Sequence, residues 1–208
     1  MSSGEPINLA RLSYEDLRRR SDVFLSQHHP LQNIPIPIEE IAELQLRMDI
    51  VPTPGLQRSF EIDSFVANDL SAIYVDEFVY ESRPARYRFS LAHELAHVVL
   101  HSEVFRSLNF STVATWKATL RSIPEGDYGW MEWQANAFAG LVLVPAQVLA
   151  DRFAAVTQLV EAQGVSLASA SDVAREMIDD HLGREFGVSG TVIEKRAAKD
   201  RLWPGSPA

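Results

Sequence analysis

The stretch Phe89-Ser90-Leu91-Ala92-His93-Glu94-Leu95-Ala96-His97-Val98-Val99-Leu100-His101 decides how the rest of the chain is read, because it places three of the six histidines within nine residues. Its apolar residues leave no polar face, which is how a helix buried on all sides reads. The polar side chains that remain are His93, Glu94, His97 and His101, apart from the single hydroxyl of Ser90. At 3.6 residues per turn, His93 and His97 share a face with Cβ atoms about 6 Å apart, so both imidazoles can reach one ion. Glu94 stands about 100° round from His93, close enough to meet a water on that ion without being a ligand. A core histidine satisfied by backbone is the plain alternative. It does not explain three such groups on a dry helix, since burying them unpaired costs several kcal/mol and metal ligation is one way to avoid that cost.

This is the His-Glu-x-x-His pattern, whose chemistry is two histidines on zinc and a glutamate as general base. A catalytic zinc keeps three protein ligands and one open position. His101 cannot be the third. It lies about 12 Å along the helix axis from His93, too far for bonds of about 2.1 Å, and is expected in packing or in a hydrogen bond behind the ligands. The extended motif with Gly and a third His at later fixed offsets is absent as well. Among downstream carboxylates, Glu103 is too far along the same helix, and Glu125 and Asp127 fall in an expected loop. Glu132 is the best choice, because it is expected to open a second apolar helix, Glu132–Val144, that stops before Pro145 and can pack rigidly on the first. One turn on, Asn136 can look toward the same point as Glu132.

Working outward, 208 residues suffice for one substantial core. The absence of cysteine excludes disulfides and thiolate sites, so any zinc is held by nitrogen and oxygen, and it fits a cytoplasmic setting. No basic segment leading into an apolar run opens the chain and no window of 18 apolar residues occurs, so neither export nor a membrane partner is expected. A net charge of −9 argues against broad, charge-driven binding of nucleic acid.

Along the chain, Ser13 is an N-cap followed by Glu15 and Asp16, opening a helix that carries the solvated Arg18-Arg19-Arg20 run and ends at His28-His29-Pro30. The two adjacent histidines point apart and are expected to be structural or solvated. A second helix covers Ile38–Leu44, and strands are expected at Met48–Val51, stopped by Pro52-Thr53-Pro54-Gly55, around Phe60–Val66, and at Ala72–Val75. Together they predict a small, mostly antiparallel sheet packed on the His93 helix, one edge of which could hold a peptide by strand addition. Residues 102–131 form a long connection with a short helix at Val113–Leu120, a loop at Ser122–Gly129, and the length of a lid. Helices follow at Ala146–Ala162, Ser171–Glu185 and Thr191–Leu202, with Thr191 and Glu194 as a capping box. The resulting division is an N-terminal helical arm (1–30), a core (31–145) and a helical C-terminal region packed on it (146–208).

The chain resembles the ImmA/IrrE family of metallopeptidases. The resemblance rests on the block Arg88–His101 and on Glu132-Trp133-Gln134-Ala135-Asn136-Ala137-Phe138-Ala139 with the apolar run to Pro145, and covers roughly residues 35–150. Gln134 stands where many relatives carry an acid. The resemblance implies an α+β, zincin-like core, one Zn²⁺ per chain on His93, His97 and Glu132, and Glu94 as the catalytic base. It further implies a regulatory endopeptidase whose protein substrate is a helix-turn-helix repressor. Asn136 fits a partner for a ligand imidazole N–H, and Tyr128 and His101 are candidates for stabilising the oxyanion. Two other readings stand beside this one. Residues 171–202 read as helix, turn and helix with nearby basic residues, which would suit a DNA-binding regulator. Related peptidases end in a similar Phe-x-Val-Ser segment that packs on the core, which favours that reading of Phe186–Ser189. The third reading is a metal-bound interaction module that does not cleave, against which the intact Glu94 counts.

Overall fold

A computed structural model describes residues 9–108, 110, 112–164 and 170–203. The first eight residues of the expected arm and the last five of the expected C-terminal region lie outside them. The chain opens with α1 (Tyr14–His28), whose cap is reciprocal: Ser13 Oγ accepts from the Asp16 N–H at 3.2 Å, and the Asp16 carboxylate accepts from the Ser13 N–H at 2.9 Å. His28 and His29 are structural, with ring nitrogens 2.7 Å from Gln45 Oε1 and 3.0 Å from the Asn33 carbonyl. Next come α2 (Ile38–Glu40), prolonged by a π-helical turn at Ile41–Gln45, then β1 (Asp49–Thr53), α3 (Leu56–Phe60), β2 (Ser64–Val66) and β3 (Ala72–Asp76).

The sheet is mixed rather than mostly antiparallel, in the order β1-β3-β2, with β1 parallel to β3 and β2 antiparallel to it. Two of the strand boundaries differ from the expected ones. Phe60 ends α3, so that strand shrinks to Ser64–Val66, and β1 runs on through Pro52 and Thr53. Pro52 is tolerated because β1 is an edge strand and pairs on one side only.

The Asp76 side chain caps α4 (Glu77–Ser82), accepting from the N–H groups of Phe78 and Val79. Pro84 then starts α5 (Pro84–Leu100), the long helix that carries the three histidines' region. α6 (Ser102–Ser107), α7 (Val113–Ser122) and α8 (Glu125–Leu143) follow. The expected loop at Ser122–Gly129 is therefore mostly helix: α8 begins at Glu125, and Glu132 sits two turns inside it instead of opening it. Glycines at 126 and 129 disguise the start, while Glu125 and Asp127 in the first turn favour it through the helix dipole. Ala135, Phe138, Ala139 and Val142 are buried together as expected.

α9 (Ala146–Ala162), α10 (Asp172–Phe186) and α11 (Gly190–Lys199) complete the described chain. Ser189, not Thr191, is the N-cap residue of α11, and no side-chain cap hydrogen bond forms there, so the Thr191–Glu194 box is not made. The turn between α10 and α11 presses on α5. Gly187 has φ +68, and a Cβ there would stand 2.8 Å from Arg88 Nε, so only glycine fits. Arg88 in return donates to the carbonyls of Gly187 at 3.0 Å and Ile36 at 2.6 Å. Phe186 and Val188 are buried in the cluster that also holds Leu17 of α1, Ile73 of β3, Leu95 of α5 and Phe138 of α8. Among the described residues, no single helix is long and apolar enough to cross a membrane.

Candidate metal centre

The face of α5 bearing His93 and His97 packs against α8 where Glu132 emerges. His93 Nε2 lies 3.1 Å from His97 Nε2 and 3.3 Å from Glu132 Oε2, and His97 Nε2 lies 3.5 Å from Glu132 Oε1. A tetrahedral ion with bonds of about 2.0–2.1 Å sets its ligand atoms about 3.3–3.4 Å apart. Three donors at the corners of such a triangle, two imidazole nitrogens and a carboxylate, can hold a divalent metal. Two ring nitrogens this close, both facing one carboxylate, otherwise have one shared proton to place between them and little reason to converge.

The electrostatics agree with ligation. Burial, then the neighbouring His93 and His101, hold His97 well below the usual imidazole range, so it is neutral, the form a metal requires. His93 is pulled down by burial and pushed up by Glu132 and Glu94, which prevail. His97 Nδ1 is 3.0 Å from His101 Nδ1. If His97 offers Nε2 to a metal, its Nδ1 carries the proton and donates to His101, which burial drives down to about 4 and keeps neutral as acceptor. Gln134, fully buried, lies against His101 and donates through Nε2 to the Ala10 carbonyl at 3.2 Å. A neutral amide suits a position closed to water. His101 thus stands behind His97 and does not line the cavity, which corrects its reading as an oxyanion candidate.

Glu94 points the other way, toward the sheet. Ser64 of β2 donates its hydroxyl to Glu94 Oε1 at 2.8 Å, and the backbone N–H of Val66 faces the same carboxylate. Burial pushes the Glu94 carboxyl up to about 7, with His93 and Ser64 opposing. These groups open onto a cavity of about 350 Å³ that also takes in Tyr128, Glu132 and Asn136. Phe105 of α6 and Trp116 and Leu120 of α7 wall it, so the 102–131 connection does border the site. Lys117 pins α7 there by donating to the Phe60 carbonyl at 2.6 Å. Tyr128 is pushed up to about 12, by burial and then by Glu132 and Glu94, and keeps its proton. Asn136 donates to the Glu132 carbonyl at 2.8 Å, and its side chain supports the His93 N–H. Ser64 escaped the sequence reading because a lone serine before two apolar residues carries no signal until strand pairing brings it to Glu94.

The fold is a zincin-like α+β domain, and this constellation could hold a metal ion. The chain belongs to the family whose model is described as the IrrE N-terminal-like domain, Peptidase_M78, matched over residues 79–198. The matched span begins later than the resemblance suggested and runs on through α11. No curated protein matches the chain. Among solved structures, a Mycobacterium tuberculosis transcriptional regulator is similar in fold, with TM-score 0.55 and 17% identity over 93% of this chain. The chain spans about half the length of that regulator, of which 49% is covered.

Proposed function

We propose that the protein is a zinc-dependent endopeptidase acting on a protein substrate, with His93, His97 and Glu132 as ligands and Glu94 as the catalytic base. The observation that carries this reading is the triangle of three donor atoms with a buried carboxylate beside it, facing an open cavity. Zinc, when bound, lowers the pKa of a water and polarises the scissile carbonyl. Glu94 takes the proton of that water and returns it to the leaving amine, and its raised affinity for protons suits a group that must carry one in transit. Ser64 orients Glu94 through a hydrogen bond to Oε1. Tyr128, protonated and lining the cavity, is the proposed donor to the oxyanion. The sheet now has a preferred edge for an extended substrate: β3 is central, and of the two edges β2 borders the cavity through Ser64.

The substrate proposed is a helix-turn-helix repressor cleaved in regulatory proteolysis within the cytoplasm. The alternative role of residues 171–202 as a DNA reader finds less support, because α11 is docked on α8. Arg196 is buried and donates to the carbonyls of Gly140, at 2.7 Å, and Val144, while it also pairs with Asp200 at 2.8 Å. The test is to incubate zinc-loaded protein, with its Glu94→Gln variant alongside, with helix-turn-helix repressors from the same organism. Cleavage by the parent alone is expected; equal cleavage by both would overturn the assignment of Glu94.

A further inference from the structure

A second concavity, about 1170 Å³, opens beside the metal centre, between the start of α5, the outer face of α8 and α11. Its lining includes Arg83, Arg86, Lys195, Arg196 and Lys199 and no aspartate or glutamate, on a chain whose net charge is −9. Two of these charges are already matched. Arg86 is bound by Asp63 at 2.5 and 2.9 Å, and Arg196 by Asp200. The other three are not in ion pairs among the described residues: Arg83 lies over the Phe78 ring, Lys199 over the Tyr14 ring, and Lys195 is exposed. Lys195 and Lys199 are one turn apart on α11 and so share its groove-facing side. The acid of that helix, Glu194, acts instead on Asp179 of α10.

The floor is apolar. Phe89, Ala137 and Val192 line it, and Trp133 stands there 38% exposed. The groove is also continuous with the metal-centre cavity, since Arg86, Phe89 and Asn136 line both. A chain whose scissile bond lies at His93, His97 and Glu132 must leave the cavity somewhere, and this route carries three cations that are in no ion pair among the described residues.

We propose that this groove binds the segment of the substrate flanking the scissile bond, and that it selects an acidic polypeptide carrying a bulky apolar side chain. The carboxylates meet Arg83, Lys195 and Lys199, and the apolar side chain rests on Trp133. This rests on the peptidase reading for its position but not for its binding chemistry.

The experiment separates the two. Fluorescence anisotropy of a labelled, glutamate-rich peptide with one leucine is measured on metal-free protein, against the same peptide with lysine for glutamate and a single-stranded oligonucleotide. The acidic peptide is expected to bind, more weakly as salt rises. The double variant Lys195→Glu with Lys199→Glu is expected to lose about 10-fold in affinity, equivalent to about 1.4 kcal/mol. A Lys195→Gln, Lys199→Gln pair guards against misfolding, and Arg106→Glu with Arg184→Glu, outside the groove, should change nothing. Equal binding of both peptides, an unaffected pair of lysine variants, or preference for the oligonucleotide would overturn the proposal. A peptide library digested by the zinc-loaded protein adds the second arm. Binding without any cleavage removes the peptidase reading and leaves the groove; cleavage with no acidic enrichment on either side of the cut removes the groove and leaves the peptidase.

Discussion

The hydroxyl of Ser64 donates a 2.8 Å hydrogen bond to Oε1 of Glu94, tying the edge strand of the sheet to the helix that carries His93 and His97. β2 and α5 are therefore joined by a direct side-chain contact at Glu94. Replacing Glu94 by Gln should leave zinc content intact and lower kcat by about 10²–10⁴-fold, the usual contribution of a general base. Ser64→Ala, which frees the carboxylate without removing it, should cost about 10-fold. Zinc content by mass spectrometry beside single-turnover rates checks both; zinc loss in Glu94→Gln would show that Glu94 is a ligand.

Glu132→Ala removes one corner of the donor triangle and should abolish stoichiometric zinc at equilibrium with a chelator. His101→Ala removes only the group that orients His97, 3.0 Å away, and should weaken zinc by about 10–100-fold. Chelator competition distinguishes the two, and equal losses would mean that His101 does more than orient.

Asp179 provides a pH dependence away from the site. Burial, then Glu194 and Asp180, push its carboxyl up to about 6 from an ordinary 3.8, and Oδ1 is buried without a partner among the described residues. The folded state thus holds a proton that the unfolded chain releases. Stability falls as pH rises from about 4 to about 6 and stays lower above. Asp179→Asn should raise Tm at about pH 7.5 and not at about pH 4. A parallel shift at both values would point to packing instead of charge.

Arg196 joins α11 to the end of α8 by donating to the carbonyls of Gly140 and Val144. Arg196→Met keeps the stem but removes the side-chain donor of the Val144 carbonyl in a buried interface, at about 1–3 kcal/mol where no water enters, while the Gly140 carbonyl keeps the N–H of Val144. A lowered midpoint in denaturant with little change in its slope is expected. Hydrogen exchange should locate the loosening at residues 140–144 and α11.

How far the sequence reached can be read from particular residues. His93 and His97 were legible as a pair because i and i+4 on a helix are neighbours whatever surrounds them. Ser13 and Asp16 likewise announced a cap that needs only its own turn. Glu132 was found by elimination, although its place within α8 was misjudged: Pro124, Gly126 and Gly129 read locally as a loop, yet Gly126 and Gly129 lie inside α8, where the burial of Met131 outweighs that preference. The parallel pairing of β1 with β3 could not be read, since strand direction depends on where distant segments dock.

By itself the sequence determined the two-histidine face, the base beside it and the apolar helices that carry them, all set by 3.6-residue periodicity and the cost of burying charge. Only the tertiary structure decided what Glu94 rests on, and that Arg83, Lys195 and Lys199 converge on one groove. Those contacts join residues 30 to more than 100 positions apart, and such pairs meet through packing alone, which no local pattern encodes.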